Sequence, residues 1–328
     1  MKSILLTVMA AAAAFGQQPE FVNAKVETRP VAGTLAAEFQ KAESGAGSPV
    51  WMAYTVPMMP RHGSMCGDDS QNRKVFLEGP DTLVILFRFE NRALDKVRTS
   101  TLNCQFDGGG LPVLLLTGVS PAQSIELLAG LVQKWTQGDR KGRLDSLVAG
   151  IALHRDGAAD RAMESLVASS QPETLREKAL FWMANARGRS GFEAVKKVLE
   201  SDPSDRLREK ATFDITQSSE AGAIPALVES AKKDRTPKVR SQALFWLAHK
   251  AGREHTAVIA DAARQDPDAH VRRQAVFALE QIPQGGGIPI LIQLARGSSD
   301  PEVKKQAMFW LGRSKDPQAL QFFQDVLK

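Results

Sequence analysis

One eight-residue pattern recurs at a fixed interval through the second half of the chain, and this period constrains the fold more than any other feature. The copies read Leu-Arg-Glu-Lys-Ala-Leu-Phe-Trp and close variants, and they begin at Leu175, Leu207, Val239, Val271 and Val303. Each copy starts 32 residues after the last, without an insertion. Such a period predicts a stack of repeats. A sixth, degenerate unit at 144–173 keeps the register and is typical of a terminal cap.

Each 32-residue unit has the pattern of two helices. In the copy that begins at Val271, five apolar side chains fall on one face about 100° wide: Val271, Ala275, Ala278, Leu279 and Ile282. A second apolar stripe begins at Ile288, after a run of three glycines. Because a single helical pair cannot bury its own stripe, the pairs are predicted to stack into an α-solenoid over residues 144–328.

The turns between units support this interpretation. Asp-Pro pairs occur at Asp202, Asp266 and Asp300, where Asp can cap a helix N-terminus and Pro suits the first helical turn. With these pairs and its Val-Arg and Ala-x-x-Ala-Leu columns, the array resembles the short bacterial HEAT-like repeats first associated with phycobilin lyase subunits. The resemblance implies an interaction scaffold. No residue of the array matches the chromophore chemistry of that family, so no pigment role is implied.

One column of the repeat departs from what packing alone requires. It places a phenylalanine about 200° from the central alanine, away from the main buried stripe. Its members are Phe181, Phe213, Phe245, Phe277 and Phe309. They are the candidate partner-binding residues, since exposed apolar patches usually mark contacts. The alternative, which we favour on sequence alone, is that each ring folds sideways against the next repeat and is mostly buried.

The next column alternates from one repeat to the next. It holds Trp182, Trp246 and Trp310, with Asp214 and Ala278 in the intervening units. Tryptophan often anchors interfaces. At about 60° from the central alanine, however, these rings are predicted to fill space between repeats.

A basic column follows the first apolar residue of every unit. Its members are Arg176, Arg208, Arg240, Arg272 and Lys304. Such a ladder is expected to bridge to acidic groups or turn carbonyls of the adjacent unit. A bound anion is the alternative interpretation.

The N-terminus has the pattern of a signal peptide. Lys2 precedes an apolar run from Ile4 to Phe15, and the small residues Ala14 and Gly16 predict cleavage after Gly16. This run is too short to span a membrane comfortably, and no later apolar stretch reaches about 18 residues. The mature protein is therefore expected in the periplasm or outside the cell, without a membrane span.

Export changes the interpretation of the two cysteines, Cys66 and Cys104. An even pair in an oxidising compartment is predicted to form a disulfide. Closing that loop would stabilise the fold by roughly 3–4 kcal/mol. Two independent buried thiols are the alternative.

Residues 17–137 differ from the array and predict a small α+β domain, mostly β, that resembles no family we recognise. The predicted strands are Val50 to Met58, Lys74 to Glu78, Thr82 to Glu90, Lys96 to Gln105 and Pro112 to Thr117. Ser120 is predicted to cap a helix that runs to Trp135, with Pro121 at its first position and Gln123 completing a capping box. Residues 138–143 are a polar linker.

One segment of this domain could hold a metal. Met58, Met59, His62, Met65 and Cys66 lie close in sequence, and thioether, imidazole and thiolate ligands suit Cu(I). Methionines also fill irregular gaps in cores, and an oxidised Cys66 offers no thiolate. We therefore predict no metal and no cofactor, and keep copper as the alternative.

No catalytic signature is present. The five histidines show neither the spacing of a zinc motif nor a triad signature, and the His-Glu pairs of iron-binding HEAT-like hydroxylases are absent. A net charge of +5 is spread over interspersed charges of both signs, which does not indicate nucleic-acid binding.

The sequence thus predicts an exported, non-catalytic scaffold that holds a protein or peptide. The alternative is an enzyme or copper-handling protein with its site in the N-terminal domain near Met58 to Cys66.

Overall fold

The computed structural model describes residues 18–60, 65–66, 81–136 and 142–327. They form two compact units. The first contains the described residues up to 131, with 142–150 and 154–156, and the second contains the rest. The predicted signal peptide and most of the predicted linker lie outside the described residues. Among the described helices, none combines the length and apolar content that a bilayer crossing requires.

The first unit is built on a sheet of five strands in the order β2-β7-β3-β4-β5, with a separate parallel pair, β1-β6. Strand β7 runs parallel to both β2 and β3, whereas β3, β4 and β5 are antiparallel neighbours. Its elements are β1 (Glu20–Val22), β2 (Lys25–Pro30), α1 (Leu35–Gly45), β3 (Val50–Pro57), β4 (Thr82–Glu90), β5 (Ala93–Thr101), β6 (Gln105–Asp107), β7 (Pro112–Thr117) and α2 (Pro121–Trp135), and α3 (Arg143–Leu153) begins in it.

The sheet buries apolar side chains on both faces, which explains the near-continuous apolar run of β4. On one face, Phe39 of α1 packs edge-on against Phe87, and the Tyr54 hydroxyl lies 2.8 Å from the Ser124 Oγ of α2. On the other face, Val84 and neighbouring apolar residues pack against the β1-β6 pair. Both layers exclude water from the central strand.

The structure confirms predicted strands at β3, β4 and β7 and the helix α2, and it corrects other details. The single strand predicted from Lys96 to Gln105 is two strands, β5 and β6, separated by the turn that carries Cys104. The Gln123 side chain donates to the carbonyl of Gly33, so only the Ser120 half of the capping box forms. The strand predicted at Lys74 to Glu78 lies outside the described residues.

Cys66 and Cys104 form a disulfide, in agreement with the sequence, with their Cα atoms 5.2 Å apart. The bond joins the segment at Met65 to the turn after β5. Two hydrogen bonds support the same junction: the Met65 N–H donates to Thr101 Oγ1 at 3.0 Å, and Ser100 Oγ donates to the Met65 carbonyl at 2.6 Å.

The second unit consists of paired helices in regular succession. They are the end of α3, then α4 (Gly157–Val167), α5 (Glu173–Ala186), α6 (Gly188–Ser201), α7 (Asp205–Asp214), α8 (Ala223–Lys233), α9 (Pro237–Ala251), α10 (Thr256–Gln265), α11 (Ala269–Glu280), α12 (Ile288–Gly297), α13 (Pro301–Arg313) and α14 (Pro317–Val326). The first helices of the repeats, α5, α7, α9, α11 and α13, contact one another in sequence order. This arrangement confirms the predicted solenoid.

The predicted stripe forms the core of this unit. The first apolar residue of every copy, from Leu175 to Val303, is fully buried, and so is the alanine four residues later. Of the three predicted caps, Asp300 caps its helix, but Asp202 and Asp266 do not, because α7 and α11 begin later, at Asp205 and Ala269. Ser204 and Asp268 cap those two helices instead, and the Asp268 carboxylate accepts from the N–H of His270 at 2.8 Å and of Val271 at 3.2 Å. The small alanine lets neighbouring first helices approach closely, so each repeat shelters the stripe of the next.

The basic column forms the predicted ladder. Its ion pairs are Arg176–Asp202, Arg208–Asp234, Arg240–Asp266 and Arg272–Asp300. In a typical rung, Arg240 Nε donates to Asp266 at 2.8 Å, and its Nη1 donates to the carbonyl of Asp234 in the preceding turn at 2.9 Å. Each such guanidinium therefore joins the turn before its repeat to the turn after it. Lys304, in the last repeat, is exposed.

The rungs differ in burial, which gives a testable difference in stability. The side chains of Arg208 and Asp234 are 1% and 4% exposed, whereas those of Arg272 and Asp300 are 22% and 24% exposed. We expect Arg208→Met to lower the free energy of unfolding by roughly 3–5 kcal/mol, because it leaves a buried carboxylate unpaired. The matched variant Arg272→Met should cost about 1 kcal/mol. Urea unfolding of both variants measures this, and equal losses would contradict the role of burial.

Candidate functional site

The phenylalanine and tryptophan columns form one continuous row of rings along the first helices of the repeats. We call it the aromatic band. Its members, in order of contact, are Trp182, Phe181, Phe213, Trp246, Phe245, Phe277, Trp310 and Phe309. Two of its contacts are near-parallel stacks: the centroids of Phe181 and Phe213 lie 6.3 Å apart, and those of Phe245 and Phe277 lie 6.2 Å apart.

Tryptophan supplies the contacts that the phenylalanines cannot make alone. The ring of Trp246 lies 5.0 Å from Phe245 on its own helix and 4.7 Å from Phe213 in the preceding repeat. Trp310 repeats this geometry two units later, at 5.2 Å from Phe277. Because tryptophan occurs in every second repeat, every second contact between neighbouring repeats along the band is made by an indole ring.

The band lies between core and surface. The rings fold sideways onto neighbouring repeats, as we favoured from sequence, but the first four phenylalanines stay partly exposed and Phe309 is 51% exposed. The tryptophans, expected as filling between repeats, also stay partly exposed. Packing of the repeats does not require such exposure, because the valine and alanine stripe already closes the core. The band is therefore the leading candidate surface.

Amide side chains run beside the band. Gln242, Gln274 and Gln306 each precede a band phenylalanine by three residues, so they neighbour it on the helix surface. All three are partly exposed, and within the described part of the chain their side chains make no hydrogen bond. On the other side of the band, the imidazole of His249 lies 4.5 Å from the ring of Phe245. Free amides can both donate and accept hydrogen bonds.

One carboxyl group interrupts the band. Asp214 occupies the tryptophan position of the second repeat and is 4% exposed. Burial raises the pKa of Asp214 to about 7; the charge of Lys210 partly offsets this rise and that of Glu177 adds to it. Among the described residues the Asp214 carboxyl has no hydrogen-bond or ion-pair partner. Sequence reasoning noted the substitution but did not identify it as a buried acid.

The described members of the predicted copper set are not shown to share one site. Met58 is fully buried at the end of β3, Met59 is partly buried, and His62 lies outside the described residues. Cys66 is in the disulfide and offers no thiolate. Within the described ranges, no cluster of three or more histidine, cysteine or acidic side chains could hold a metal ion. Copper binding stays the alternative hypothesis.

The sheet unit contains a cavity that the sequence did not predict. Its volume of 680 Å³ is within the range of small-molecule sites. The disulfide and Met65 line one side of it, and the aromatic residues Phe21, Trp51 and Phe106 line another. Arg98 also lines it.

The sequence profile of the HEAT repeats matches residues 224–296 and 256–328. Together these matches cover about the last third of the chain. The unbroken 32-residue register extends the HEAT-like array back to Leu175, so the whole aromatic band lies on the first helices of HEAT-like repeats. No curated protein has a significant match to the chain.

Solved structures that match part of the chain include the complex of CpcE and CpcF of phycocyanin lyase from Nostoc sp. PCC7120, at 17% identity and a TM-score of 0.33 over 59% of this chain and 76% of that one. Human deoxyhypusine hydroxylase in complex with glycerol matches at 18% identity and a TM-score of 0.28, over 61% and 81%. Aminopeptidase A of Legionella pneumophila in complex with aspartic acid matches at 13% identity and a TM-score of 0.31, over 80% and 39%.

The raised pKa of Asp214 predicts how stability depends on pH. The folded state holds its proton up to about pH 7, whereas an unfolded Asp releases it near ~3.9. Stability is therefore lost as pH rises between these values, and the loss is complete above the folded pKa. We expect Asp214→Ala to remove about 3 kcal/mol of the decrease in unfolding free energy between about pH 5 and pH 8.

Alanine suits this test because Ala278 occupies the same column two repeats later. Urea unfolding of the wild type and the variant at both pH values gives the difference directly. An identical pH dependence in the two proteins would show that the Asp214 carboxyl ionises normally.

Proposed function

We propose that this protein is an exported, non-catalytic binding module whose HEAT-like repeats hold a protein or peptide partner along the aromatic band. The observation that carries the proposal is the unbroken contact of partly exposed rings across five successive repeats. HEAT repeats generally serve as interaction scaffolds; aromatic side chains are enriched in the cores of protein interfaces, and tryptophan is among the residues most enriched at binding hot spots.

The energetic cost of the band supports a binding role. Leaving apolar ring surface in water forfeits about 25 cal/mol for each Å² that a partner could cover. The fully buried stripe shows that this chain places apolar side chains inside when stability is the only requirement. A row of partly exposed rings is therefore best explained as a surface that becomes covered on binding.

The amides beside the band favour a partner bound in an extended conformation. An extended chain has N–H and C=O groups along its length that need partners, and Gln242, Gln274 and Gln306 can supply both donors and acceptors. Neighbouring helices lie about 8–10 Å apart, which matches about three residues of extended chain at ~3.3 Å each. Each repeat could thus contact the partner in the same way.

Export rests on the predicted signal peptide at residues 1–16, and the disulfide between Cys66 and Cys104 supports it, because such bonds persist mainly in oxidising compartments. We propose a periplasmic or secreted location. The proposed module has no catalytic centre of its own.

The alternative function is an enzyme or copper-handling protein with its site near Met58 to Cys66. One observation favours it: Met65 and Cys66 line the cavity of the sheet unit. Titration of the full chain with Cu(I) tests it. Stoichiometric sub-micromolar binding that is lost in a His62→Ala/Met65→Ala variant would support a copper site, and its absence would remove it.

Selection from a display library of random fifteen-residue peptides against the full chain tests the binding role. We expect enriched peptides to lose at least tenfold in affinity on Phe245→Glu, because the charge interrupts the band at its centre. The matched control is Leu320→Glu, which places the same charge at an exposed apolar position of the array on a second helix, α14. It should leave affinity unchanged.

Circular dichroism and thermal unfolding verify that both variants fold. The proposal is wrong if no peptide is enriched on the wild type, or if the enriched peptides bind Phe245→Glu as tightly as the wild type.

A further inference from the structure

The cavity of the sheet unit lies on one face of the five-stranded sheet, and the strand register identifies that face. Leu86 on β4 is paired with Ala53 on β3 and with Arg98 on β5. Residues that are directly paired on neighbouring strands have their side chains on the same face of a sheet. Arg98 therefore shares the face of Leu86 and of the apolar cluster that packs against the β1-β6 pair.

The hydrogen bonds of β5 agree with this assignment. The hydroxyl of Thr99, which alternates with Arg98 along the strand, donates to the carbonyl of Ser146 in α3 at 2.8 Å. Ser100 Oγ donates to the carbonyl of Met65 at 2.6 Å, and both residues line the cavity. Helix α3 thus covers one face at this edge of the sheet, and the cavity lies on the other.

Aromatic side chains make up much of the cavity wall. Trp51 and Val113, which are paired in the register of β3 and β7, line it together with Leu86 on the side of the sheet. Phe21 of β1 and Phe106 of β6 line it from the two-stranded pair, with their ring centroids 5.5 Å apart. All three aromatic residues are partly exposed. A flat ring that enters the cavity can therefore stack on, or pack edge-on against, these side chains.

Two of the described charged residues line the cavity, and they differ in how their charge is satisfied. The Asp107 carboxylate accepts from Asn23 Nδ2 at 3.1 Å and from the N–H of Gly109 at 2.8 Å, and these hydrogen bonds lower the pKa of Asp107. Arg98 is exposed, and its side chain has no hydrogen bond or ion pair among the described residues. The charge that is left without a partner at the cavity is therefore positive.

A second arginine on the same face shows the difference. Arg88 lies two residues after Leu86 on β4, and its guanidinium pairs with both Glu90 and Asp95. The described part of the sheet offers Arg98 no such carboxylate. A guanidinium binds a planar carboxylate through two parallel hydrogen bonds. A guest that carries its own carboxylate would supply for Arg98 what Glu90 and Asp95 supply for Arg88.

We propose that this cavity binds a small aromatic acid, whose carboxylate pairs with Arg98 and whose ring lies among Trp51, Phe21 and Phe106. The volume of 680 Å³ suits a free small molecule of this class. The inference is independent of the proposed function, because the aromatic band lies on the helical repeats and the cavity lies in the sheet unit.

Two probes of nearly the same shape test the role of charge: 2-naphthoate and its uncharged amide, 2-naphthamide. In calorimetric titrations of the full chain at pH 7.5, we expect 2-naphthoate to bind at least about fivefold more tightly, as for a charge-assisted hydrogen bond at an exposed arginine. On Arg98→Gln the ratio should fall to about one. The matched control Arg92→Gln makes the same change in the exposed turn between β4 and β5, outside the cavity lining, and should keep the ratio.

The indole N–H signals in a nitrogen-15 NMR spectrum locate the bound probe. The chain has five tryptophans, so the spectrum is simple, and the variants Trp51→Phe and Trp246→Phe assign two of its signals. Saturating 2-naphthoate should shift the signal of Trp51 in the cavity and leave that of Trp246 in the aromatic band unchanged. The same spectrum verifies that Arg98→Gln and Arg92→Gln fold as the wild type does.

The outcomes separate this inference from the proposed function. If the two probes bind the wild type equally, or if the preference for 2-naphthoate survives in Arg98→Gln, Arg98 does not hold the carboxylate and the proposal is wrong. A shift of Trp246 without a shift of Trp51 would also overturn it, because the probe would then mark the aromatic band. If neither probe binds the wild type at millimolar concentration, the cavity is not a site for aromatic acids, and the band can still be the binding surface for a peptide.

Discussion

The burial of one helical stripe by the next repeat is the interaction on which the rest of the array depends. The apolar and alanine columns of the first helices are fully buried over their whole length, from Leu175 to Ala307. Burial alone does not specify direction, since the hydrophobic effect is non-directional. The arginine ladder adds direction, because each guanidinium must reach a carboxylate and, in most rungs, a turn carbonyl at fixed positions. Together they hold successive repeats in the same relative placement.

Because successive repeats are placed in the same way, residues at the same position of each repeat form a continuous surface. Residues 32 apart come close enough for Phe181 to stack on Phe213, and for Phe245 to stack on Phe277. The same regularity lets an indole close every second junction. The aromatic band is therefore a consequence of the repeat packing, and its partial exposure is the part that packing does not explain. This exposure, which packing does not explain, is the physical basis for assigning a binding role to the band.

Asp214 shows how a regular scaffold can carry a specific feature. The column that holds tryptophan in three repeats holds the buried Asp214 in the second repeat, and the helices of that repeat keep their place in the array. The cost appears as a raised pKa rather than as a disrupted fold. A scaffold stabilised by many equivalent contacts can tolerate such a local cost at one position.

The sequence by itself determined the period, the two helices of each unit, the buried stripe, the cap at Asp300, and the ladder, because each follows from spacing along one or two helices. It also indicated β3, β4, β7 and α2 through their apolar runs and capping residues. Only the tertiary structure decided that the Phe and Trp columns merge into one band, that Asp214 is buried with no hydrogen-bond or ion-pair partner among the described residues, and that β1 pairs with β6 and β2 with β7. These features depend on side-chain direction across neighbouring repeats and on pairings between distant segments. Neither leaves a periodic signal in the chain.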